Sequence, residues 1–162
     1  MGFQDDYVMR TISDLVKAIA RLFLGKDNVD YDLPTNEADD TEMDNRFRRL
    51  TALAEEGNIN EAENLLFEEV DPADKKYLEM ALAFYMYLNE FDDDFLYTNN
   101  YSREEIVDGI NAISAEFGIT GFEHFVDTTM VLRVWMREIS RKRTQTAPLI
   151  WANTTGSCFS AT

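Results

Sequence analysis

The chain has 162 residues, with 31 acidic and 15 basic side chains and a net charge of −16. A nucleic-acid module needs a basic face to displace counterions, so this balance excludes that class, and with it attachment to an anionic membrane by charge. Hydrophobic residues make up 45% and aromatics 12%, too many for a disordered acidic tail and enough for one packed domain.

Cys158 is the only cysteine, so no internal disulfide forms, and the single histidine, His124, cannot complete a zinc cluster with it. Near the N-terminus Asp5, Asp6, Arg10, Lys17 and Arg21 break any secretory pattern. No apolar run approaches the ~18 residues that a bilayer span needs. The expectation is a cytoplasmic protein with no membrane segment.

Residues 5–24 read as the first helix, with Val8, Ile12, Leu15, Val16, Ile19, Leu22 and Phe23 at helical spacing. Residues 27–41 form an acidic connection with no basic residue, read as a linker or exposed loop. A second helix follows from about Thr41 to Glu56, with Met43, Phe47, Leu50 and Ala54 inward. Gly57 supplies the stop. Asn60, with Glu63 three residues on, is the expected cap of a third helix whose buried side is Ala62, Leu65, Leu66 and Val70. The short turn makes the two an antiparallel hairpin over 46–70.

Asp71-Pro72 predicts the start of a fourth helix, about 72–89. Its apolar residues lie nearly all round, which places it at the centre of the domain. Residues 89–101 read as an aromatic and acidic loop. Ser102 and Glu105 make a capping box for a fifth helix, lined by Ile106, Ile110, Ile113 and Phe117. A sixth is expected over 121–142. The fold class is therefore all-α: about six helices in antiparallel hairpins, one domain over 1–142, and a mobile tail over 143–162.

The stretch from Leu50 to Leu66 resembles a tetratricopeptide repeat unit, with Leu50, Leu53, the Gly57 turn and the small Ala62 in the family's places. The family's Trp-x-x-Leu-Gly opening is absent and no second copy follows. The resemblance implies a helical hairpin that presents a binding face. The opening from Gln4 to Ile12, together with Phe95 to Ile106, also resembles a group of uncharacterised bacterial helical proteins; this implies a fold and no site.

No complete catalytic constellation is present. His124 lacks a positioned nucleophile. Asp92-Asp93-Asp94 fails the calcium-loop pattern, because the sixth and twelfth positions hold Tyr97 and Arg103. Glu104, Asp108, Glu123 and Asp127 resemble the acidic clusters of all-α magnesium-dependent nucleotide pyrophosphatases, which would hold metal on a triphosphate. That enzyme is one alternative; a self-associating structural protein with a homodimer face is another. The leading expectation is a non-enzymatic interaction or scaffold module without a cofactor. Its partner would be a protein or peptide, suited by a basic charge to the surface made by Phe91, Asp92, Asp94, Phe95 and Tyr97.

Overall fold

A computed structural model describes residues 3–36, 38 and 40–122. These form six α-helices and no strand among the described residues: α1 (Phe3–Ile19), α2 (Glu42–Glu55), α3 (Ile59–Glu68), α4 (Lys75–Asn89), α5 (Asp93–Thr98) and α6 (Arg103–Glu116). The expected helix over 121–142 and the tail over 143–162 fall almost wholly outside the described residues.

α4 is the centre. Tyr77, Leu78, Met80, Ala81, Leu82, Phe84, Tyr85 and Leu88 are all buried on it, and it packs against α1, α2 and α6. The nearly all-round apolar pattern is thus consumed by neighbours on several sides. α1 contributes Ile12, Leu15, Val16 and Ile19, each essentially inaccessible. Its apolar stripe is used within the chain. Leu22 and Phe23 depart from it. The helix widens into a π-turn over Ala20–Leu24, whose i→i+5 spacing slips the stripe off the core face. Leu22 is accordingly 69% exposed, contrary to its expected inward position.

The acidic connection is tied down rather than free. The Tyr31 hydroxyl donates to Asp44 at 2.9 Å, and the Tyr31 ring sits 4.7 Å from that of Phe47. Arg48 donates to Asp40 at 2.7 Å and to the Pro34 carbonyl at 3.0 Å. The helix that follows opens on a full capping box. Asp44 N–H donates to the Thr41 hydroxyl, and Thr41 N–H donates to the Asp44 carboxylate at 2.8 Å. The Thr41 hydroxyl donates to the Asp44 carboxylate at 2.6 Å, and this bond, then that of the Thr41 N–H and that of the Tyr31 hydroxyl, hold the Asp44 carboxyl below its ordinary range.

α2 and α3 form the expected antiparallel hairpin. Its turn requires φ +86° at Gly57, a conformation that glycine adopts without strain. The Asn99 side chain also packs where a Gly57 side chain would stand. Three expected boundaries change. The residue before α3 is Asn58, not Asn60, so Glu63 is free of a capping role. Asp71-Pro72 forms a turn in which Asp71 accepts from Ala73 N–H at 3.0 Å, and Asp74 caps α4 instead by accepting from Lys76 N–H at 2.9 Å. Both aspartates suit such local bonds, and the one nearer the continuous apolar run starts the helix. The expected loop over 89–101 contains α5. Acidic residues at its start are favoured by the helix dipole, which is why an Asp run can open a helix.

No helix among the described residues is long and apolar enough to cross a membrane.

Candidate functional site

The five residues singled out in the sequence lie together around α5. Phe91 and Phe95 are half-buried, with ring centroids 4.9 Å apart. Tyr87 at the end of α4 extends the row, meeting Phe91 edge-on at 5.3 Å. Its hydroxyl donates to Glu55 at 2.6 Å. Burial, then this bond and the charges of Glu55 and Glu90, push the Tyr87 hydroxyl up to about 12, so it stays protonated. Tyr97 is 85% exposed, the most open large hydrophobic residue among those described. Asp92 and Asp94 are exposed, and neither makes an ion pair among the described residues. The result is an aromatic row of Tyr87, Phe91 and Phe95 beside an open Tyr97, flanked by exposed carboxylates. From Tyr77 to Ser102 the sequence has no Lys or Arg.

Arg103 fixes this surface from below. It follows the Ser102 cap of α6 yet is only 8% exposed. Its guanidinium donates to the Asn89 carbonyl and side-chain oxygen, both at 2.9 Å, to the Phe91 carbonyl at 2.8 Å, and to Asp93. Asn89 in turn donates to the Met9 carbonyl of α1 at 3.1 Å. One planar fork therefore joins the end of α4, the start of α5 and the start of α6. Neither Arg103 nor Asn89 stands out in the sequence, where both read as ordinary polar residues at helix ends.

A second cluster lies between α3, α4 and α6. The buried Tyr85 hydroxyl donates to Glu63 at 2.8 Å. Tyr101 is 3% exposed, and its hydroxyl faces Glu63 without reaching full hydrogen-bond geometry with any partner. Asn100, at φ +56°, turns the chain so that this ring enters the core. Gly109 of α6 closes over the pair. Burial raises the Glu63 carboxyl above its ordinary value of 4.5; the tyrosine hydroxyls oppose the rise, and the charges of Glu105 and Asp108 add to it. Asp108 is raised as well, by burial and then by Glu105 and Glu104. Like charges crowd here.

A carboxyl raised in the folded state binds its proton more tightly there than in the unfolded chain. Its contribution opposes folding once pH climbs through the ordinary value and reaches full size above the raised one; below the ordinary value it vanishes. Glu63→Gln is therefore expected to raise the melting temperature relative to the parent at pH 7, and to lose that advantage at pH 3. Melting curves at both values check it; a variant less stable at pH 7 would sink the account.

Of the alternative metal residues, Glu104 and Asp108 stand one turn apart on α6, while Glu123 and Asp127 lie outside the described residues. No group of three or more His, Cys, Asp or Glu able to hold a metal occurs among the described residues. His124 and Cys158 also lie outside them.

No curated protein and no solved structure matches the chain. Residues 2–118, which span α1 to α6, match a family of unknown function, and the chain belongs to that family, DUF6483.

Proposed function

We propose that the protein is a non-enzymatic interaction module of the cytoplasm that binds a basic segment of a protein partner at the aromatic and acidic surface around α5. The observation that carries this reading is the Tyr87, Phe91 and Phe95 row beside an almost fully open Tyr97, rimmed by the exposed Asp92 and Asp94. Exposed aromatic rings supply contact area at low entropic cost, and rim carboxylates steer a cationic partner. The α2–α3 hairpin, with its Gly57 turn and buried Ala62, supports a tetratricopeptide-like scaffold behind this surface.

Titration with a labelled basic amphipathic peptide, and with a control in which glutamate replaces each basic residue, tests the reading. The expected result is binding of the basic peptide alone, weakened as salt rises. Asp92→Asn combined with Asp94→Asn should weaken it roughly fivefold, since each exposed pair contributes only a fraction of a kcal/mol. Equal binding of both peptides, or indifference to the paired substitution, would count against it.

A further inference from the structure

The chain already contains one example of a ring and a carboxylate meeting a cation, at a buried ring. The Arg46 guanidinium carbon lies 5.5 Å from the centroid of the Tyr77 ring, and the same guanidinium bonds Glu69 at 2.7 Å. Ring, guanidinium and carboxylate form a closed triad across α2, the end of α3 and α4. Two of those three parts recur, unfilled, on α5. Asp94 and Tyr97 are three residues apart on the helix, so their side chains are neighbours on one face. Tyr97 is 85% exposed, so its ring is open to solvent. Asp94 is exposed and makes no ion pair among the described residues, whereas Asp93 is already held by Arg103. The Thr98 hydroxyl donates to the Asp94 carbonyl at 2.7 Å and not to its carboxylate.

We propose that Tyr97 and Asp94 form an arginine-reading anchor, at which a guanidinium of the partner stacks on the Tyr97 ring while it pairs with the Asp94 carboxylate. The proposal rests on the interaction reading above and narrows it from a basic partner to an arginine-bearing one. Chemistry distinguishes the two cations. A guanidinium is planar, weakly hydrated and able to stack and to donate sideways at once, whereas a lysine ammonium is a compact, strongly hydrated point charge. A surface that offered carboxylates alone would take either. The open ring beside the carboxylate is what favours the plane.

Three labelled peptides of one sequence test it, with arginine, lysine or the uncharged planar citrulline at the basic positions, titrated against the full chain by fluorescence anisotropy. The arginine peptide should bind about fivefold more tightly than the lysine peptide, the size expected of one exposed cation–ring contact. Citrulline should bind more weakly than arginine. Tyr97→Leu keeps an apolar side chain at an exposed position and should remove the arginine preference, while Asp94→Asn should weaken both charged peptides. Circular dichroism confirms that each variant is folded. Equal binding of arginine and lysine, or a preference that survives Tyr97→Leu, overturns the anchor and leaves the interaction reading standing. Failure of every peptide to bind overturns both.

Discussion

Arg103→Ala is expected to lower stability by about 3–5 kcal/mol, the range seen when one partner of a buried charged network is removed. The guanidinium satisfies three oxygens on Asn89 and Phe91 in addition to Asp93. Two of these are main-chain carbonyls where α4 ends, groups that the helix itself cannot satisfy. Alanine would leave them without a donor in a place that water reaches poorly. In a chain of this length such a loss corresponds to a fall of roughly 10 °C or more in the melting temperature. Arg103→Lys should cost less, about 2 kcal/mol, because an ammonium keeps the charge but cannot fork to the same set of oxygens. Asp93→Asn should cost under ~1 kcal/mol, because the Asp93 side chain is 45% exposed and its ion pair is screened. Urea denaturation of the three variants orders these effects. If Arg103→Ala proved no worse than Asp93→Asn, the ion pair would be the whole contribution and the carbonyl clamp would carry none.

The same arginine shows where sequence reasoning reaches its limit. Helices longer than three turns announce themselves by the recurrence of apolar residues, and α1, α2, α4 and α6 are legible on that ground. The central place of α4 follows from its residues as well, since only a helix surrounded on most sides can carry Tyr77, Leu78, Met80 and Phe84 inward together. α5 has six residues, too few for a period to show, and its two aspartates, with Asp92 just before them, read as solvated loop. Arg103 follows a cap residue and so reads as a solvated first-turn charge. Its burial depends on carbonyls contributed by residues 12 and 14 positions earlier, and on a chain reversal that no local pattern encodes. Glu63 illustrates a different failure. Three positions after Asn60 it looks like a capping partner, and a shift of the helix start to Ile59 frees it to meet Tyr85. On the candidate surface Phe91, Asp92, Asp94, Phe95 and Tyr97 are legible because aromatic residues on a short acidic segment are hard to bury whole. Tyr87 is not, because it sits in a helix whose other aromatics are core.

Gly109→Ala is expected to destabilise the fold by about 1 kcal/mol, against the direction that helix propensity alone would give. In the interior of a helix alanine is favoured over glycine by about 1 kcal/mol. Here a methyl group would collide with the Tyr85 hydroxyl, with the neighbouring ring carbon of Tyr85 and with a Glu63 carboxylate oxygen. Only the carboxylate belongs to a side chain with freedom to move. The Tyr85 ring is fully buried in α4 and has no space to give. Either α6 lifts away from α4, opening the core at Ile106, Ile110 and Ile113, or the Tyr85–Glu63 bond breaks and leaves a half-buried carboxylate with less support. Overpacking of this kind costs about 1–3 kcal/mol, which outweighs the propensity gain. A double-mutant cycle separates the terms. Tyr85→Phe removes one of the three colliding atoms and the hydrogen bond together, so Gly109→Ala should cost less in that background than in the parent chain. If the cost is unchanged, the collision with the hydroxyl is not its source. If Gly109→Ala stabilises the parent chain, α6 does not approach Tyr85 as closely as the core packing requires.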